Sequence, residues 1–220
     1  MKIKTLLKDS MKLVAFGLLI LIVTTGILLK THPIKVIPLC ISCFVMLMQS
    51  KVNRYAFLLG GLNSILYGFS SVLMQLYVGA ASAFLVSFPL QVITFINWNR
   101  NTTKGVTETK KLTPKGRVLL FAIMAGAWVG IFFIFSGLGS PFIVLDNTAA
   151  VLGVVTTVLC MLRYSEYAIL QFIGSLITLA LNISVSLADI SNLVNIFMTV
   201  YSLVCIAIAF FRMNKRSKVQ

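Results

Sequence analysis

Eight apolar stretches, at 13–29, 36–48, 55–78, 80–96, 118–136, 146–162, 167–187 and 193–211, follow one another with polar breaks between them. The hydrocarbon core of a bilayer is about 30 Å thick and takes about 20 residues of helix to cross, with a working range of roughly 17–25. Most of the stretches reach that length as they stand, and the second reaches its lower bound once 34–49 is admitted. None alternates apolar and polar residues over about ten positions, as a membrane β-strand would, and a helix satisfies its own backbone in lipid. The expected fold is an all-α polytopic membrane protein with eight transmembrane helices.

Composition removes the alternatives. A soluble domain runs at roughly 45–50% apolar and about 25% charged, whereas this chain of 220 residues is 59% hydrophobic and 11% charged. That is too little polar surface for a soluble enzyme and too much apolar surface for a disordered chain. The four cysteines, Cys40, Cys43, Cys160 and Cys205, all fall inside apolar stretches, where a thiol behaves as a small hydrophobe. No disulfide is expected, and Cys40-x-x-Cys43 has redox spacing without the electropositive, accessible setting that such chemistry needs.

The net charge of +14 would suggest nucleic acid if the cations lined a groove with interleaved aromatics. They lie between the apolar stretches instead, so the bilayer is the expected partner and nucleic acid is not. With the N-terminus in the cytoplasm, all but Lys30 and Lys35 of the 19 Lys and Arg residues fall on the inner side. That asymmetry supports eight crossings, both termini cytoplasmic, in the cell inner (plasma) membrane. The first stretch follows a basic segment, as in a signal peptide, but no small-residue cleavage site follows it and it is expected to remain as a span. The polar, basic connection 97–115 is expected to lie against anionic headgroups.

A shift of 112 positions lays the second, third and fourth stretches over the last three without a gap, Tyr55-Ala56 falling on Tyr167-Ala168 and Arg100 on Arg212. Three helices, a spacer helix and three more give two triplets of the same orientation, an arrangement known among transporters. The expected divisions are an N-terminal basic segment with an extra helix (1–33), a first three-helix repeat (34–100), a basic cytoplasmic loop with a linker helix (101–140), a second repeat (141–214) and a basic tail (215–220).

Polar side chains within these stretches are costly in hydrocarbon and usually face a bundle interior or a watery cavity. Asn63 and Tyr67, four apart, share a helix face, and Gln91 follows Pro89, which frees a carbonyl one turn earlier. Gln171, Asn195 and Tyr201 offer similar groups in the second triplet, with Trp98 and Trp128 as aromatic wall. These eight are the candidate substrate-binding residues, suited to a neutral, hydroxyl-bearing ligand with an aromatic ring. Each has a plainer role. An amide in a membrane helix often serves only as an interhelical bond worth about 0.6 kcal/mol, and Trp98 stands where an interface anchor would. Gly126-x-x-x-Gly130 is expected to make a close helix contact.

Asp146, Arg163 and Glu166 are the candidate gating or capping residues. Asp146 is placed to cap its own helix, and Glu166 to pair with Arg163. Asp189 and His32, in outer turns, are expected to be solvated. The chain has no phosphate-loop, His-Glu-x-x-His or Gly-x-Ser-x-Gly signature, so it is not expected to be an enzyme or to hold a metal or cofactor. No charged residue is placed near mid-membrane, where a proton or ion coupling site would lie.

The run Gly61-Leu-Asn63-Ser64-Ile-Leu-Tyr67-Gly68, then Phe88-Pro89-Leu-Gln91 and Asn97-Trp98-Asn-Arg100, with Leu145-Asp146 and Arg163-Tyr-Ser-Glu166 in the second half, resembles PnuC-type vitamin transporters. The resemblance implies a 3+1+3 parallel-repeat bundle like that of the SWEET proteins, carrying nicotinamide riboside or a related nucleoside or vitamin by facilitated diffusion. It further implies trapping by a cytoplasmic kinase, and that members can associate as homotrimers. Ala168, Gln171 and Thr94-Phe95 stand where nicotinamide riboside carriers tend to have aromatic residues, which leaves another ribosyl or deoxyribosyl nucleoside, or another vitamin, open as the substrate. The rival function is a non-catalytic substrate-binding subunit of an energy-coupled vitamin importer, for which about six helices and no repeat are expected.

Overall fold

A computed structural model describes residues 2–51, 53–103, 106–107 and 110–217; Lys104 of the basic loop and Lys218 of the tail lie outside these. In chain order the elements are α1 (Lys2–Leu28), α2 (Pro33–Ser50), α3 (Tyr55–Leu73), α4 (Tyr77–Ser82), a π-helical turn (Ala83–Ser87) and α5 (Phe88–Arg100). Then come two-residue strands β1 (Thr102–Thr103) and β2 (Val106–Thr107), α6 (Pro114–Ser136), α7 (Ile143–Met161), α8 (Tyr167–Ala188), a 3-10 turn (Ile190–Asn192) and α9 (Leu193–Ser217). Among the described residues, eight helical segments are long and apolar enough to cross a membrane, with α4, the π turn and α5 forming one of them, Tyr77–Arg100. The all-helical class and the eight spans stand as expected, with β1 and β2 making only a small antiparallel hairpin in the basic loop.

Helix starts follow local chemistry. α2 opens with Pro33 at its first position, and the His32 ring accepts from the Ile34 amide at 3.3 Å. α6 opens with Thr113, whose Oγ1 accepts from the Gly116 amide at 3.1 Å, followed by Pro114. Proline costs nothing there, because the first amides of a helix have no intrahelical acceptor.

Helix ends are where the sequence misleads. α1, α3 and α7 each finish in a left-handed residue, and none of these is glycine: Lys30 at φ 49°, Gln75 at φ 57° and Arg163 at φ 65°. At α3 the Gln75 amide bonds back to Val72 and the Leu76 amide to Ser71, at 3.0 and 2.9 Å, closing the carbonyls of the last turn. The third span therefore stops at Leu73, five residues before the expected end at 78, and the following span begins at Tyr77 rather than Ala80. The apolar neighbours of Gln75 hide this break.

Within the fourth span, Pro89 has no amide to give to the Leu85 carbonyl, and the turn immediately before it, Ala83–Ser87, widens to π-helical pairing. Such turns relieve a broken ladder and recur at functional sites. The ring of Phe84 fits against Gly68 so closely that a Cβ there would lie 2.7 Å from it.

α2 packs on α3 and α9, while α7 packs on α8 and α5; α1 lies against α2 and α9, and α6 against α7. Met11, Ile22, Cys43, Val194, Tyr201 and Cys205 make the core of the α1–α2–α9 seam. Trp98, Leu152, Leu159, Cys160 and Tyr167 make that of the α5–α7–α8 seam. The outer surface is apolar, with Leu85 76% and Phe133 72% exposed, whereas Asn147, Thr94 and Asp146 are at most 2% exposed. Acyl chains, unlike water, make that distribution favourable. α6 has no buried residue, and a Cβ on Gly126 or Gly130 would meet nothing within 4 Å. Among the described residues, that pair makes no close helix contact of the kind expected.

Candidate functional site

A cavity of about 390 Å³ lies within the helix bundle, walled by α2, α3, the α4–α5 span, α7 and α8, with Ile206 and Ala209 of α9. This is within the roughly 300–1,000 Å³ typical of small-molecule sites. Five of the eight candidate binding residues, Asn63, Tyr67, Gln91, Trp98 and Gln171, line it.

Asn63 and Gln91 are held from behind. Asn63 Nδ2 donates to the Pro38 carbonyl of α2 at 3.1 Å and to Ser42 Oγ at 2.8 Å. Gln91 Nε2 donates to Ser64 Oγ at 3.0 Å, and that hydroxyl donates to the Gly60 carbonyl at 3.0 Å. Gln91 Oε1 lies so near the α3 backbone at Gly60 that a Cβ there would collide with it. Both Asn63 Nδ2 hydrogens and one of the two on Gln91 Nε2 are thus spent on protein, which fixes the side chains and leaves Oδ1, Oε1 and the second Gln91 N–H for other partners.

One end of the cavity is aromatic. Trp98 is 2% exposed and donates from Nε1 to the Cys160 carbonyl at 2.8 Å, with Phe57 and Tyr167 edge-on to it at 4.9 and 6.4 Å. The neighbouring Asn97 Nδ2 donates to the Met161 carbonyl at 2.6 Å. Trp98 is therefore a buried clamp between α5 and the end of α7, not an anchor in the interface. Beside it, Gln171 Nε2 meets Gln49 Oε1 at 3.3 Å across the cavity wall.

Trp128, Asn195 and Tyr201 do not line the cavity. Trp128 Nε1 donates to Thr148 Oγ1 at 2.9 Å, and its carbonyl accepts from Asn147 Nδ2 at 2.8 Å, joining α6 to α7. Asn195 Nδ2 reaches Met74 Sδ at 3.5 Å, and Tyr201 belongs to the α1–α2–α9 core. In helices apolar on every side, spacing does not reveal which face meets the cavity, and a polar group turns to whatever neighbour satisfies it.

The capping and gating candidates also change partners. Asp146 does not cap α7: its Oδ2 and Oδ1 accept from the Val78 and Gly79 amides, both at 3.0 Å, closing the start of α4 instead. It sits in the first turn of α7, on the cavity wall, and among the described residues is the only charged side chain there. Glu166 pairs not with Arg163 but with Arg117, at 3.1 Å, and accepts from the Leu112 amide at 3.1 Å. The left-handed turn at Arg163 gives its backbone to Lys110: the Lys110 amide donates to the Arg163 carbonyl at 2.7 Å and the Ser165 amide to Lys110 at 2.8 Å. Burial pushes the Glu166 carboxyl up, but the hydrogen bonds from amides, Arg117 and Ser165 outweigh it and hold it below the usual carboxylate value.

In the turn between α8 and α9, Asp189 is more than solvated. It accepts from the Ser191 hydroxyl and amide, which hold its carboxyl low, and meets Lys35 at 3.5 Å. Lys35 is 8% exposed and donates to Asn192 Oδ1 at 3.0 Å.

Gln49, Ser64, Ser71 and Thr156 line the cavity without having been expected to. Gln49 carried a usable signal, a lone amide one residue from the end of an apolar stretch. The hydroxyls carried none, because Ser and Thr recur through every span and most bond back to their own helix, as Ser175, Thr178 and Thr199 do to the carbonyl four residues earlier.

Residues 32–215 match the family described as the nicotinamide mononucleotide transporters. A curated relative, the nicotinamide riboside transporter PnuC of Neisseria mucosa, is 31% identical over 149 residues, which is 64% of this chain and 55% of that protein. The chain thus spans about half the length of that relative. A crystal structure of the vitamin B3 transporter PnuC superposes with a TM-score of 0.68 over 90% of each chain, at 19% identity. At that identity the superposition speaks for the fold.

Proposed function

The chain belongs to the nicotinamide mononucleotide transporter family, and from that premise we propose that it carries nicotinamide riboside, or a closely related nucleoside or vitamin, across the cytoplasmic membrane by facilitated diffusion. The observation that carries this reading is the charge of the cavity wall. It offers amides, hydroxyls and aromatic rings, one carboxylate and, among the described residues, no Lys or Arg. A phosphate in such a cavity would lack a counter-charge and would lose its hydration. A cationic or neutral riboside would not, so the unphosphorylated nucleoside is the cargo, and a cytoplasmic kinase that adds the phosphate prevents its return.

Uncoupled transport follows from how Asp146 is used. A coupling carboxylate has to be free to exchange a proton or ion, and both oxygens of Asp146 are committed to the α4 amides. Alternating access then comes from rocking the triplets 34–100 and 141–214 about the cavity, with 1–33 outside the repeat and 101–140 as the linker. The packing supports this pairing: α2 on α3 has its counterpart in α7 on α8, and α2 on α9 in α7 on α5. In the same reading both termini are cytoplasmic, and the unoccupied glycine face of α6 serves subunit contact in a homotrimer.

The test is flux through the purified chain in proteoliposomes. Labelled nicotinamide riboside should equilibrate to the outside concentration without a gradient, nucleotide or kinase. Binding without equilibration identifies a capture subunit, and accumulation above the outside concentration identifies a coupled pump; either result overturns the proposal.

A further inference from the structure

The geometry points to the paired amides of Gln49 and Gln171 as a specificity edge that selects ribosides whose ring carries an uncharged amide-type donor and acceptor. The inference rests on the riboside-carrier reading and names the ring chemistry that the cavity accepts. Gln49 lies in the last turn of α2 and Gln171 in the second turn of α8, and packing brings them together from 122 positions apart in sequence. Their single bond is long, 3.3 Å, and it consumes one donor and one acceptor. Whichever way the two amides are turned, a carbonyl oxygen and amide hydrogens remain on the cavity wall. Both residues are partly exposed there.

Their surroundings add the rest of the recognition. Tyr167 is one turn before Gln171 on the same face of α8, and Trp98 stands edge-on to it at 6.4 Å, so the amide edge borders the aromatic end of the cavity. A flat ring placed against those aromatics would present its substituents to the two amides. A ring carboxamide can donate to the free carbonyl and accept from the free amide hydrogens, matching both. A ring carboxylate cannot donate, and among the described residues no Lys or Arg lines the cavity to pair with its charge. A site built around buried hydrogen-bonding groups rejects ligands that leave them unpaired. A purely interhelical glutamine pair, by contrast, would affect stability and leave ligand choice unchanged.

The experiment compares nicotinamide riboside, its counterpart with a carboxylate in place of the carboxamide, and pyridine riboside with neither group, by equilibrium binding to the purified full chain. Wild type is expected to bind the carboxamide at least about tenfold more tightly than either other ligand. Gln171→Leu and, separately, Gln49→Leu, each checked as a monodisperse species, should remove most of that preference while leaving pyridine riboside affinity within about twofold. Equal affinity of wild type for the three ligands overturns the inference with no variant needed. So does a loss in the variants that is the same for all three, which would make the pair structural. If no riboside binds wild type at all, the carrier reading itself fails and takes this inference with it.

Discussion

Asp146 Oδ1 accepts from the Gly79 amide at 3.0 Å, and a Cβ on Gly79 would stand 2.9 Å from that same oxygen. The carboxylate on α7 thus reaches the start of α4 only because Gly79 has no side chain. Asp146→Ala strands the buried amide of Val78 and the part-buried amide of Gly79, and Gly79→Ala pushes the carboxylate off them. Each is expected to cost about 1–3 kcal/mol, read as a lower melting temperature in detergent. The double variant should fall well short of the sum, because both changes remove one interaction.

Trp98 offers a narrower test. Trp98→Phe keeps an aromatic ring beside Phe57 and Tyr167 but removes the Nε1 donor, leaving the Cys160 carbonyl without it. A loss of about 1 kcal/mol is expected, measurable by thermal unfolding. An interface anchor would tolerate this change, so an unchanged melting temperature would return Trp98 to the role that its position in the sequence suggested.

Glu166 gives a pH dependence with a definite sign. Its carboxyl is held below the usual value in the folded chain, so the stabilisation is fully present above the unfolded-state pKa of about 4.3 and is lost as pH falls through the folded value. Melting curves taken from about pH 6 down to about pH 3 should therefore show an acid-side decline that is shallower in Glu166→Gln. Arg117→Leu should shallow it too, though by less, because the amide of Leu112 still holds the carboxylate.

The eight spans were legible because length and hydropathy set them directly. Their ends were not, since Lys30, Gln75 and Arg163 close helices in a conformation that usually announces itself with glycine. Partners separated in sequence were equally hidden. Glu166 lies three residues from Arg163 and 49 from Arg117, yet it is Arg117 that it meets. Asp146 reads as the cap of its own helix and serves another 67 residues away. Local patterns fix what a helix is made of, while the face that a residue such as Trp128 or Tyr201 shows to a cavity is decided by packing.

Gly60 and Gln91 test whether the cavity amides touch the cargo or merely pack. Gln91→Ala removes the amide, whereas Gly60→Ala leaves it in place but drives Oε1 from its position against the α3 backbone. If the oxygen receives the substrate, both variants should lower the uptake rate at least about tenfold in properly inserted protein, since a ligand group left unpaired costs about as much as one misplaced. Asn63→Ala should lower uptake and stability together, because its Nδ2 also ties α3 to the Pro38 carbonyl and Ser42. Normal uptake by Gln91→Ala would mean that its bond to Ser64 is the whole of its role, and that the acceptor for the cargo lies elsewhere on the wall.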